Sequence, residues 1–468
     1  MRWIPCLLGL VMLAGCGGNE SSESVSEASN GQETVTSVTD SSAPADGAIG
    51  GESAGPKSAA AVSQPKPQGG TVDQTQDVAT AKKLIAQAEV HIRRGSPGPA
   101  IESLSQAIGI DPESSRAYAL RAGVYVALGE NANALADYSA AIRLSPRDAR
   151  LHNGRGFFFM ARQQMARAKQ DFDQAIQLDP GFKQAWNNRG LVMLAEGDFA
   201  AAIQDFNQSL KQDAKYLDAQ NNRGYAKLRM GEIDAAIADF DKTLALDKAY
   251  HNAYNNRGLA HYQKKDYDKA VQDFTRAIKL QRFDAKYYRH RREALIKLDR
   301  TQEALADADK LIWLQSLSTL NKQLARAPRD VEVYLRRAEF YSKAGESELA
   351  IKDLNRANEL SPGNAAILAR RATVWSEMEM YRNAVNDASE SIRLQPNQPA
   401  FSVRGDAHLA LGETQKAIDD FEKAKRIDAT VAEAYLKHSK VLEEKGDTEA
   451  AQKALQQAYL FDPSLKQQ

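Results

Sequence analysis

Only two of the 468 residues are cysteine, Cys6 and Cys16, and both stand in the first sixteen positions. The body of the chain therefore has no thiol for a disulfide framework or a thiolate metal centre. Charge of one sign is not in excess either: lysine plus arginine and aspartate plus glutamate number 61 each. The basic residues recur at fixed intervals and form no tracts, which argues against nucleic acid as a partner. The apolar run that ends at Leu13 is too short to span a bilayer. The seven histidines, His91, His152, His251, His261, His290, His408 and His438, show no metal-ligand spacing. A phosphate-binding glycine loop, a nucleophile elbow and a paired-carboxylate motif are all missing, so no cofactor, metal or catalytic residue is expected, and the chain reads as a non-enzyme.

What is present is a period of 34 residues. Alanine, then an aromatic or leucine four residues on, then a small residue three further, recurs at Ala134/Tyr138/Ala141, Ala168/Phe172/Ala175, Ala202/Phe206/Ser209 and Ala270/Phe274/Ala277. Steps of four and three place such residues on one face of a helix. A second stripe lies upstream in each unit, as in Trp186/Gly190/Met193 and Tyr254/Gly258/His261, so each unit is a pair of helices, A then B. Gly95, Gly129, Gly197, Gly231, Gly345, Gly412 and Gly446 fall between the stripes, where a left-handed residue ends helix A. Gly190, Gly224 and Gly258 are expected to face Ala202, Ala236 and Ala270 and let the helix backbones approach.

These residues resemble the tetratricopeptide repeat family: an aromatic, then Gly or Ala in helix A, then Ala, Phe or Tyr and Ala in helix B, and a closing proline such as Pro112, Pro146 or Pro180. With position 1 of the repeat at residue 81, eleven units start near 81, 115, 149, 183, 217, 251, 285, 331, 365, 398 and 432. The resemblance implies an all-α, right-handed superhelical solenoid of about eleven helix-turn-helix repeats. Residues 81–317 form a first block of seven repeats and residues 331–468 a second block of four. Between them the repeat spacing is too long by twelve residues, and residues 318–330 are read as an insertion that extends helix B, with a kinked extra helix as the alternative. After the last helix too few residues remain for a capping helix, which leaves the C-terminal face open to self-association.

The N-terminus reads as a lipoprotein signal peptide over residues 1–15, because Leu13-Ala14-Gly15-Cys16 resembles the lipobox of bacterial lipoproteins, in which the cysteine is acylated. Gly17 in place of aspartate favours the outer membrane by the same resemblance, with the protein lipid-anchored and facing the periplasm. Residues 16–80 are poor in aliphatic clusters, carry an acidic excess and are rich in Ser and Gly, so they read as a disordered tether.

Two sets of polar positions recur. Position 7 is arginine and position 23 aspartate in nine successive units, among them Arg155 with Asp171, Arg189 with Asp205, Arg223 with Asp239 and Arg257 with Asp273. The first and last units lack both, so pairing within a unit leaves no orphan, and a structural ion pair between helices A and B is expected. Positions 5 and 6 carry Asn153, Asn187, Asn188, Asn221, Asn222, Asn255 and Asn256, and position 6 then turns basic with His290, Arg336 and Arg370. In the family these positions point into the concave groove, and similar asparagine ladders line the repeat domain of O-linked N-acetylglucosamine transferases. An amide offers a donor and an acceptor to a peptide backbone without reading its side chains. The expected function is a membrane-tethered interaction scaffold of the bacterial envelope that binds extended or C-terminal segments of envelope proteins. The alternative is a binder of cell-wall or surface polysaccharide.

Overall fold

A computed structural model describes residues 74–467; the signal peptide, Cys16 and most of the expected tether lie outside these residues. The described chain is all helical, with eleven antiparallel helix pairs followed by a short 3-10 turn at Pro463–Gln467. The first helix runs Gln74–Arg93 and so begins before the boundary expected at residue 81. Unit five is representative, with helix A at Leu217–Arg229 and helix B at Ile233–Leu246. No helix among the described residues is long and apolar enough to cross a membrane.

Each helix A ends on a left-handed residue at position 15. Seven units use glycine there, for example Gly129, Gly197 and Gly231 with φ of 76°, 84° and 84°. The other four place Gln163, Lys265, Asp299 and Glu379 in the same conformation, with φ between 55° and 64°. A side chain in that region costs about 1–2 kcal/mol, so the bend is imposed by the packing of A against B and glycine only makes it easier. Helix B is then started by an aspartate where one is available: Asp198 and Asp447 accept from backbone N–H groups of the first turn.

Inside each pair, the small residue at position 8 faces the ring at position 24. A Cβ added to Gly190, Gly224 or Gly258 would come within 2.6–2.7 Å of the ring of Phe206, Phe240 or Phe274. The room is thus taken by phenylalanine and not by the alanine of position 20, which corrects the expected contact. Gly156 with Phe172 and Gly405 with Phe421 repeat the arrangement, and all five rings are fully buried. Opposite Ala338 and Ala372 position 24 shrinks to Leu354 and Ala388, whereas Ala122 keeps the ring of Tyr138; unit seven inverts the sizes with Arg292 and Ala308.

The chain divides into two compact units, the first through Leu311 and the second from Ile312. The division falls within one continuous 26-residue helix, Thr301–Arg326, so the additional residues lengthen helix B of repeat seven, and the joint is not confined to 318–330. In the first unit its early turns bury Ala304 and Asp307. In the second unit Leu314, Leu317 and Leu324 are buried and Trp313 stacks on Phe340 with centroids 5.1 Å apart. At the C-terminus the 3-10 turn brings Lys466 over the Tyr459 ring, while Leu460 stays 71 % exposed.

Overpacking at the position 8 contact is testable. Gly224→Ala is expected to cost about 1–3 kcal/mol of stability in chemical unfolding. Adding Phe240→Leu to that variant should recover part of the loss, since the chain itself pairs Ala338 with Leu354.

Candidate functional site

The nine arginines at position 7 sit at the junction of everything that repeats. Each donates Nε and Nη2 to the two carboxylate oxygens of the aspartate sixteen residues later, with N–O distances of 2.6–2.9 Å. This is a fork-to-fork bond that lysine cannot make. The aspartates are almost fully enclosed; the Asp239 side chain is 3 % exposed and that of Arg223 17 %. In six of the nine repeats an aromatic residue at position 4 of the same helix covers the guanidinium, as with Trp186 over Arg189 at 4.9 Å and Tyr254 over Arg257 at 5.6 Å.

The sequence did not reveal where the remaining nitrogen goes. In eight of the nine units Nη1 reaches back to the preceding repeat, onto Ser105, Asp173, Asn207, Asp241, Thr275, Asn321, Asn355 or Ser389. The clamp therefore closes a repeat and also ties it to its neighbour. The signal was a short polar residue, varied in type, at position 25 in seven of the eight; Asn321, on the lengthened helix, stands twelve residues beyond it.

Burial opposes ionisation of Asp239, yet the hydrogen bonds from Arg223 and then Lys227 outweigh it and hold the carboxyl below its ordinary range. Asp171 is lowered in the same way by Arg155 and His152 against its burial. In the second unit Asp353 goes the other way, because its burial outweighs the bond from Arg337.

The asparagines form a bonded ladder along the first unit. Asn188 Nδ2 donates to Asn153 Oδ1 at 2.9 Å, Asn222 to Asn187 at 3.0 Å and Asn256 to Asn221 at 3.0 Å. Within each helix the inner amide donates to the outer one, Asn187 to Asn188 at 3.4 Å, Asn221 to Asn222 at 3.4 Å and Asn255 to Asn256 at 3.3 Å. His290 Nδ1 closes the series 2.8 Å from Asn255 Oδ1. Burial, followed by Arg289 and Lys286, pushes His290 down to about 4, so it is neutral at pH 7 and joins as the tautomer with its proton on Nδ1. All donors point toward the N-terminal units. The position 5 amides are buried and spent on this ladder, contrary to the expectation that they line a groove free for ligand. The position 6 amides stay half-buried, and each Nδ2 uses one of its two N–H groups on the preceding unit.

Beside the ladder lies an apolar row of which the sequence singles out only Tyr225, as a candidate anchor. Phe157, Leu191, Tyr225 and Leu259 hold position 9 in successive units, half-buried and packed on the local cores. Helices A of these units touch one another while helices B of neighbouring units make no sustained contact, so helices A form the inner face. Polar neighbours on both sides hid the row, although its spacing of 34 residues was readable. In the next unit Glu293 ends the row, and Arg289, exposed, replaces the inner asparagine. Arg336 and Arg370 stand exposed on helices A of the second unit. Among the described residues no group of three or more metal-binding side chains is assembled.

Models of the tetratricopeptide repeat match residues 159–216, 217–250, 251–284, 331–364, 399–430 and 432–465, and a TPR repeat model matches 122–162; together they cover more than half of the chain. No curated protein matches. Among solved structures the chain is similar to PilF of Pseudomonas aeruginosa, with 22 % identity over 47 % of this chain and 99 % of that one and a TM-score of 0.42. PilW, described as a widely conserved type IV pilus biogenesis factor, is 20 % identical over 42 % of this chain and 92 % of its own, with a TM-score of 0.40. YrrB, described as having an unusual peptide-binding site, is 22 % identical over 39 % and 94 %, with a TM-score of 0.32.

Removing one partner of an enclosed ion pair strands the other, so Arg223→Ala is expected to cost about 3–5 kcal/mol in equilibrium unfolding. An unchanged unfolding midpoint would show the pair to be dispensable. Because Asp239 and Asp171 are depressed in the folded state, the stability they contribute is complete above about pH 4 and is lost as pH falls through their folded values. Urea midpoints measured from pH 7 to pH 3 should fall at the acid end, and less steeply in Asp239→Asn.

Proposed function

Because the chain belongs to the tetratricopeptide repeat family, we propose that it is a lipid-anchored scaffold of the bacterial envelope that holds extended segments of partner proteins along the helix A face of its first unit. The repeat array is a protein–protein interaction scaffold, and no catalytic family matches it. The finer reading is supported above all by the amide ladder: it runs bonded from His290 to Asn153, keeps its outer amides accessible, and has an apolar row alongside. Outer amides can meet a backbone while Phe157, Leu191, Tyr225 and Leu259 take up side chains. Three amide hydrogen bonds at about 1 kcal/mol each give less than the roughly 4 kcal/mol of a millimolar complex, so the apolar row has to supply the remainder.

Anchoring rests on Leu13-Ala14-Gly15-Cys16, with Cys16 acylated, and on Gly17, which favours the outer membrane. Confinement of scaffold and partner to one membrane surface raises their effective concentration and makes weak contacts sufficient.

Metabolic labelling with palmitate followed by membrane flotation tests the anchor. The wild-type chain should label and float and Cys16→Ala should do neither; an unlabelled, soluble wild type removes the anchor. A photo-cross-linking residue in place of Tyr225 tests the face. Adducts mapping to extended segments of envelope proteins are expected, whereas adducts to cell-wall glycan alone would transfer the face to polysaccharide.

A further inference from the structure

We propose that the segment taken up by the first unit is a polyproline II helix with an apolar side chain at every third residue and acidic residues at the end that meets repeat seven. This rests on the peptide reading above and adds the conformation and charge of the partner.

The inner face repeats once per helix A, and helices in contact lie about 8–10 Å apart. Phe157, Leu191, Tyr225 and Leu259 therefore recur at roughly 9 Å, each with an outer amide or Asn153 a turn away on the same helix. A ligand that uses every repeat has to return the same face at that interval. An extended strand rises about 3.3 Å per residue and shows alternate faces, so its like-facing side chains recur near 6.6 Å and drift out of step within two repeats. An α-helix needs about six residues for the same rise, which is not a whole number of turns. Polyproline II has three residues per turn and rises about 3.1 Å per residue, so one turn advances roughly 9.3 Å.

Hydrogen bonding agrees. A polyproline II backbone has no internal bonds and leaves its carbonyls to be satisfied from outside. Asn188, Asn222 and Asn256 each keep one Nδ2–H beyond the one committed to the preceding unit. They are donors facing a ligand whose prolines have no N–H to leave unpaired.

Charge fixes the end. The apolar row stops at repeat seven, where Arg289 takes position 5, is exposed and has no counter-ion among the described residues; Lys286 is engaged with Asp284, and Glu293 is the one acid on that helix. Acidic residues following the last apolar triplet would lie against this guanidinium group.

The test uses the full chain and three dye-labelled peptides ending in the same three aspartates, read by fluorescence anisotropy. The first has four Pro-Leu-Pro triplets, the second the same residues with leucine at alternate positions, and the third alternating valine and threonine. The triplet peptide is expected to bind about tenfold more tightly than either of the others. Replacing its aspartates by asparagine should weaken binding several-fold, and this loss should vanish in Arg289→Ala. Leu191→Ala and Tyr225→Ala, each shown by circular dichroism to be folded at the assay temperature, should weaken the triplet peptide several-fold. Equal or tighter binding of the valine–threonine or alternating peptide overturns the polyproline II assignment and leaves the peptide groove standing. Failure of all three to bind overturns both.

Discussion

The arginine at position 7 is the contact on which the architecture depends. A solenoid repeat has no core of its own large enough to close, and it is stable only in so far as each helix pair is held together and held to its neighbour. One guanidinium does both: two nitrogens grip the aspartate of helix B, the third reaches the preceding repeat, and an aromatic ring covers its face. The planar, permanently charged fork makes this possible, and its enclosure makes each aspartate depend on it. By fixing the roll of helix A against helix B, the clamp also decides which residues of helix A turn inward. The asparagine ladder and the apolar row are aligned from repeat to repeat because the arginines are.

Much of this was legible in the sequence because it is periodic. Helix pairs, the bend between them and the pairing of Arg223 with Asp239 all follow from spacing, since residues sixteen apart across a tight turn can meet in only one arrangement. The third arm of the clamp was not read, because Ser105, Asp173, Asn207 and Thr275 share a position and a role without sharing a residue type. The asparagines read from sequence as groove-lining amides, and the structure adds that the position 5 amides are buried and bonded to the next repeat. Spacing shows that Asn222 and Asn187 point the same way, but only the stacking of helices A brings the outer amide of one repeat onto the inner amide of the one before. The glycine of position 8 was likewise read as making room, while the ring that fills the room, Phe240 at Gly224, lies sixteen residues on in the facing helix.

On the proposed reading, the selectivity of the repeat array comes from its geometry. Its inner polar groups are largely satisfied by one another, so they contribute rigidity first and leave a sparse set of donors at fixed intervals. Under the proposal, discrimination would come from matching the interval and rest less on the strength of any single contact. The lengthened helix Thr301–Arg326 interrupts the count between the two units, and Asn321 on it still receives the back-reaching nitrogen of Arg337, so the stacking rule is kept where the period is not.

The clamp is absent from both outermost pairs, which carry Gln87 with Ser103 and His438 with Ala454. Local opening of a linear array costs only the bonds at the interface that is broken, and an end pair has one neighbour where an inner pair has two; the last pair also lacks the back-reaching bond, while the first is still tied by Arg121 Nη1 to Ser105. Backbone amides should consequently trade their hydrogens with solvent fastest in the outer pairs and slowest around repeats four to six, and a protease would shorten the molecule inward from its extremities before it cut the middle.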